Sequence, residues 1–193
     1  AAIDALPTVA LPSEPQARML NDEPQETDII RILLHHAEEA YDENQSVVAF
    51  VTGMLDEIVW DSPVCEAIFR IYESHFKNHQ RVTDRNQLFN HEDKVLASKA
   101  LEVYSAEYQL STNWEVRHDI LVPSPQMRLS ADVRSAVMRL SLKKVIGMMR
   151  QCMEKMKTTD LQAEALDALL AEYAELKSVH QELARELGTS ISH

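Results

Sequence analysis

From Ser130 to Gly188 the apolar residues fall into two runs with the spacing of paired helices. In the second run Leu166, Leu169, Tyr173, Leu176, His180, Leu183 and Leu187 follow one another at steps of 3, 4, 3, 4, 3 and 4. That heptad spacing keeps one stripe of a helix against a partner. The first run, Leu142, Ile146, Met149, Met153 and Met156, steps by 4, 3, 4 and 3. Polar Lys157-Thr158-Thr159-Asp160 separates the two, so the pattern predicts an antiparallel helical hairpin. Ser130 or an immediate neighbour is expected to cap the first arm. Thr159-Asp160-Leu161-Gln162 has capping-box spacing for the second, and Gly188 stands where a left-handed residue would end it.

The first arm changes its apolar face midway. At about 100° per residue, Leu142 to Met156 cluster on one side, and Val133, Val137 and Leu140 lie on nearly the opposite side. A helix crossing one large core could show this. The reading adopted is a connector from an upstream helical bundle into a projecting hairpin, with Gly147 as its hinge. The domain expectation is therefore a Pro-rich linker over 1–24, a helical bundle over 25–140 and a hairpin over 141–193.

Upstream, the same reasoning predicts several shorter helices. The first runs from about Pro24 to Tyr41, burying Ile29, Ile30, Leu33 and Leu34, with His35 and His36 as helix-end residues rather than metal ligands. Ser46 is expected to cap a second helix that aligns Val47, Val51, Met54 or Leu55, and Ile58. Gly53 inside it suggests a close helix crossing. Asp61-Ser62-Pro63 is a start signal for the third, whose buried residues should include Val64, Ile68, Phe69, Ile71 and Tyr72. Arg81 to Asn90 reads as a loop with a helical turn inserting Leu88 and Phe89. A fourth helix should begin near Asn90-His91-Glu92-Asp93, with Ala97, Leu101, Tyr104 and Tyr108 as its stripe. Ser111 is placed to cap a short helix carrying Trp114. The prolines of Ile120-Leu121-Val122-Pro123-Ser124-Pro125 make that stretch a loop.

Composition agrees with an all-α fold. Only 3 of 193 residues are glycine, too few for a sheet protein built on tight turns. The net charge of -12 is unevenly spread. Residues 129–157 carry seven bases against two acids, and residues 158–193 carry two against seven. A basic arm beside an acidic one suits antiparallel docking, although exposed pairs are individually worth only about 0–1 kcal/mol. The acidic neighbour also argues against direct nucleic-acid binding by the basic arm. Cys65 and Cys152 fit no metal-ligand pattern, and reduced thiols in a cytoplasmic compartment are the expectation. No run approaches the ~18 apolar residues of a membrane span, and no signal peptide is visible, since the first residues lack a basic region before their apolar ones. Pro7, Pro12, Pro15 and Pro24, set among acids and small residues, read as a tether to something upstream.

Catalytic signals are sparse. His118-Asp119 could contribute to the metal site of a His-Asp type phosphohydrolase, joined by His91 and Asp93. A solvated helix end is the alternative. The three glycines, at 53, 147 and 188, form no phosphate loop, and no Gly-x-Ser-x-Gly elbow occurs. The Met group at 138, 148, 149, 153 and 156 reads either as adaptable core or as a soft partner-binding surface. Leu161, Leu170 and Val179 lie off the heptad seam, and exposed apolar residues on a projecting element mark a docking site.

Four stretches carry a family resemblance: Asn90-His91-Glu92-Asp93, Tyr108-Gln109-Leu110-Ser111-Thr112-Asn113-Trp114, Leu129 to Val145, and Glu182-Leu183-Ala184-Arg185-Glu186-Leu187-Gly188-Thr189. In order and spacing, residues from about Thr27 to Ser192 resemble the C-terminal helicase-binding region of the bacterial replicative DNA primase (DnaG type), nearest to the version of Bacteroidetes-like bacteria. The resemblance implies a helical bundle followed by a hairpin that docks on the N-terminal domains of the hexameric replicative DNA helicase. It implies that this fragment is not itself an enzyme and carries no cofactor. The family's zinc ribbon and magnesium-dependent polymerase core would lie upstream. No sharp motif transfers contact residues. On physical grounds the expected partner-binding set is Leu161, Leu170, Tyr173, Leu176, Val179, Leu183 and Leu187, with Arg185 and Glu186 at the rim. Self-association through residues 160–187, as a generic helical adaptor, is the other interaction reading.

Overall fold

The computed structural model describes residues 23–106, 125–157 and 163–188. Over these residues the protein is all-α, with helices α1 (Glu23–His36), α2 (Val47–Met54), α3 (Pro63–His79), α4 (Arg85–Phe89), α5 (Lys94–Ser105), α6 (Pro125–Lys157) and α7 (Ala163–Glu186). The β-type pairing among the described residues is an isolated antiparallel bridge between Ala40 and Ser46. The proline-rich start, Tyr108, the Ser111–Trp114 stretch, His118-Asp119 and the Thr159–Gln162 capping box lie outside the described residues.

Local chemistry sets most helix ends. The Ser62 hydroxyl accepts from the Cys65 amide at 3.4 Å, with Pro63 in the first turn of α3. Asp84 accepts from the Asn86 amide at 2.9 Å at the start of α4. Asp93 accepts from Val95 and Leu96 at 2.8 and 3.4 Å to open α5. Each side chain satisfies a donor that the first helical turn leaves unpaired. Two caps differ from expectation. Ser46 occupies the N-cap position of α2 but makes no side-chain cap bond. The long arm starts at Pro125 rather than at Ser130, and the Ser130 hydroxyl donates instead to the Tyr41 carbonyl.

α1 is the centre of the bundle, touching α2, α3, α5 and α6. Its buried Ile29, Ile30, Leu33 and Leu34 join one core with Val47, Val51 and Leu55, Ile68, Phe69 and Tyr72, Leu88, and Val133, Val137 and Leu140. Burying each such side chain contributes about 1.5–3 kcal/mol. Val64 and Ile71 of α3 are only half-buried. In α5 the expected Ala97 is buried and Tyr104 is half-buried against the core, but Leu101 is 44% exposed, and Leu96, Ala100 and Val103 are buried instead. Gly53 also departs from expectation, because a Cβ added there would meet nothing within 4 Å. It lies next to the end of a short, partly exposed helix, not at a helix crossing.

α6 lies antiparallel along α1, with Ser130 beside Tyr41 at one end and Lys144 beside Glu26 at the other. Glu26 is completely buried. Its Oε1 accepts from the Asp61 amide at 2.7 Å and from Lys144 Nζ at 2.8 Å, and its Oε2 accepts from the Ser62 amide at 2.9 Å. Lys144 also reaches Asp61 at 3.1 Å. A carboxylate with no solvent exposure requires partners of this kind. The cluster ties α1, the start of α3 and the middle of α6 together. Beyond it, from about Gly147 to Lys157, α6 runs on past the start of α1 for about 15 Å. The helix is continuous through Gly147.

Candidate functional site

α7 packs on α6, and no comparably extensive contact with another helix exists among the described residues. The two run antiparallel: Arg134 pairs with Glu186 at 3.0 Å, and Cys152 lies beside Glu172. The second arm follows its heptad pattern. Leu169, Tyr173, Leu176, His180, Leu183 and Leu187 are half-buried, and Ala184 is buried. Leu166 is the exception at 37% exposed. α7 ends at Glu186, and Gly188 follows in the left-handed region at φ 67°.

The first arm uses a different seam from the one its spacing suggested. Met138, Val145 and Cys152 are buried outside the bundle core, whereas Met153 is 40% exposed. With half-buried Leu142, Met149 and Met156, the stripe is Met138, Leu142, Val145, Met149, Cys152 and Met156. Val145 and Cys152 are thus more deeply buried than Ile146, which is half-buried, and Met153, which is exposed. Val133, Val137 and Leu140 face the bundle. At about 100° per residue, the two buried faces of α6 lie about 140° apart rather than opposite. The Cys152 thiol is pushed up by burial, with the Glu172 carboxylate adding to the shift.

A thin two-helix arm leaves apolar surface uncovered. Met148, Met153, Leu166, Leu170 and Val179 are 37–49% exposed. At about 100° per residue and with antiparallel pairing, Met153, Leu166 and Leu170 fall on one flank of the seam, near the end of α6 and the start of α7. That flank is on the opposite side of the seam from the bundle-facing residues of α6. Met148 and Val179 fall on the other flank. The arms also expose the bases Arg139, Arg150, Lys155 and Lys157 of α6 and the acids Glu164, Asp167, Glu175 and Glu182 of α7.

The expected partner-binding residues therefore separate. Leu170, Val179 and Arg185 are exposed. Tyr173, Leu176, Leu183 and Leu187 are half-buried along the seam, and Glu186 is engaged by Arg134. Leu161 lies outside the described residues. Met153 and Leu166 join the exposed flank although both belong to heptad runs. Their position near the tip, where the seam begins and ends, was the available signal.

Other chemistry is limited. Among the described residues, no group of three or more His, Cys, Asp or Glu side chains is placed to hold a metal ion, and no helix is long and apolar enough to cross a membrane. An open cleft of about 360 Å³ lies beside the end of α3, lined by Arg70, Ser74, His75, Asn78, His79, Thr83 and Gln87 among others. His35 stacks on Tyr104 at 4.5 Å between ring centres. Its burial, then the neighbouring His36, hold its pKa below the usual imidazole value.

The family model described as a domain of unknown function, DUF8430, matches residues 12–191. This chain belongs to the DUF8430 family. No curated protein matches the chain, and no solved structure matches it. The match spans the helical bundle and both arms of the hairpin, so the family is defined over the architecture that carries the exposed flank.

Proposed function

We propose that this member of the DUF8430 family is the non-catalytic, helicase-docking region of a bacterial replicative DNA primase. Its partner in this reading is the N-terminal domains of the hexameric replicative helicase, and docking couples primer synthesis to fork unwinding. The single observation that supports docking is the exposed apolar flank of Met153, Leu166 and Leu170 on an arm that runs past the bundle. Side chains of this type stay uncovered on a projecting element when a partner covers them. The resemblance over Thr27 to Ser192 supplies the identity of the partner. The complementary charges of the two arms would leave little attraction for nucleic acid.

Calorimetry or size-exclusion chromatography with the cognate helicase tests the reading. The intact chain is expected to bind, deletion of residues 158–193 to abolish binding, and Leu170→Asp to weaken it without unfolding the chain. Binding that survived the deletion would sink the assignment to the hairpin. The same flank favours a second reading, pairing of two copies through α7. Light scattering separates the two, because a dimer that dissociates on Leu170→Asp would make the partner another copy. A phosphohydrolase reading rests on His118-Asp119, and a stoichiometric metal lost in His118→Ala would be needed to revive it.

A further inference from the structure

We propose that His75 and His79 form a binding site for one divalent transition-metal ion of the zinc, nickel or copper class, independently of how the hairpin is used. The two residues stand one turn apart near the end of α3, so their side chains share a face. Their ring centres lie 4.6 Å apart with planes inclined by 33°. His75 Nδ1 is 3.1 Å from the Arg81 carbonyl, and His79 Nδ1 is 3.3 Å from the His75 carbonyl. A carbonyl oxygen only accepts, so in both rings Nδ1 carries the proton and donates. In the neutral ring, Nε2 then keeps its lone pair in both residues. Neither Nε2 has a hydrogen-bond partner among the described residues. Imidazoles that ligate metals are held in the same way, by a bond from the non-ligating nitrogen to a carbonyl or carboxylate.

The separation fits a shared ion. With metal–nitrogen bonds of about 2.0–2.1 Å, each ring centre sits about 3.2 Å from the metal. Two rings on one ion are then about 4.5–5.2 Å apart for angles of about 90–110°. The observed 4.6 Å lies within that range. The pair opens on the cleft of about 360 Å³ whose lining includes Ser74, Asn78, Thr83 and Gln87. The Thr83 hydroxyl is buried there, with the residue 3% exposed, and has no hydrogen-bond partner among the described residues. A water on the ion would give it one. Arg70 also lines the cleft, but its guanidinium is 2.8 Å from Glu73 and within ion-pair reach of Glu66 and Asp56, which offsets its charge.

Two nitrogen ligands select imidazole-preferring ions over magnesium or calcium, which take oxygen. Without a third strong protein ligand the remaining positions belong to water, so the ion is exchangeable. Bound, it would bridge the last turn of α3 and brace the left-handed Gln80, at φ 53°, that closes the helix.

Calorimetric titration of the intact, metal-free chain with zinc chloride, using magnesium chloride as the control, tests the site. Nitrogen-15 spectra of the histidine rings provide the second readout. Zinc is expected to bind and to move the Nε2 resonances of His75 and His79, while Nδ1 of both stays protonated. His75→Ala and His79→Gln should each weaken this binding by at least about tenfold, since changes outside the ligand set alone cost 10–100-fold. Both variants should keep the parent circular dichroism, and His118→Ala should leave these ring responses intact. Absence of any response of these two rings at about 1 mM zinc, or zinc affinity unchanged in the double variant, would overturn the proposal.

Discussion

Lys144→Met removes one partner of a fully buried carboxylate while keeping most of the side-chain volume. Glu26 has no solvent exposure, and Lys144 is only 10% exposed. In the variant the carboxylate keeps the Asp61 and Ser62 amides at 2.7 and 2.9 Å but loses the ammonium at 2.8 Å. Breaking a buried pair from one side costs about 3–5 kcal/mol. The two remaining amides place this case at the lower end, about 3 kcal/mol. That is a large part of the 5–15 kcal/mol typical of a domain. It corresponds to a drop in melting temperature of about 6–12 °C for a chain of this size. Urea denaturation followed at 222 nm should show the midpoint falling with an unchanged slope. The double variant Glu26→Gln/Lys144→Met should be more stable than the two single losses add up to, since neither group is then left charged and unpaired. A loss below about 0.5 kcal/mol, or simple additivity, would refute the claim that this cluster locks α6 to α1 and α3.

Three further outcomes follow from the same geometry. Leu140→Ala, in the bundle core, should cost about 2–5 kcal/mol, whereas Met153→Ala on the exposed flank should stay within about 0.5 kcal/mol; equal losses by urea denaturation would contradict the two-faced α6. Both thiols should react slowly with a disulfide reagent at pH 8, because Cys65 and Cys152 are buried and their pKa values are raised. Urea should release both, and rapid reaction of Cys152 in the folded chain would count against the α6–α7 seam. His35 should titrate below the usual imidazole value of about 6.5 in a nuclear magnetic resonance series. A lowered folded pKa means that its contribution to stability is present above the unfolded pKa and lost as pH falls towards the folded one. A midpoint at or above 6.5 would refute its burial against Tyr104.

Helix existence and helix ends were legible where the chemistry is local. Asp61-Ser62-Pro63 opens α3, Asp93 opens α5 and Gly188 follows the end of α7, because caps act between residues two or three apart. The seam of α7 was legible for a related reason: with one main neighbour, its face is set by its own period. α6 was harder, since it serves α1 and α2 on one side and α7 on another. Which of Val145 and Ile146, or of Cys152 and Met153, turns inward depends on the angle between those neighbours, and a difference of one residue, about 100°, exchanges them. In α5 it is Leu101 alone of the described stripe that turns outward, while Ala97 and Tyr104 pack inward. Glu26 left no signal at all, because a buried acid has the same letter as an exposed one.

Sequence alone therefore determined the all-α class, the capped starts of α3 and α5 and the stripe that α7 turns inward, all products of short-range geometry. The tertiary structure decided which face of α6 meets α7, which apolar residues remain uncovered near the tip, and that Glu26 meets Lys144 across 118 positions. Those outcomes depend on how helices distant in the chain are placed about one another, and the period of a single helix does not specify that placement.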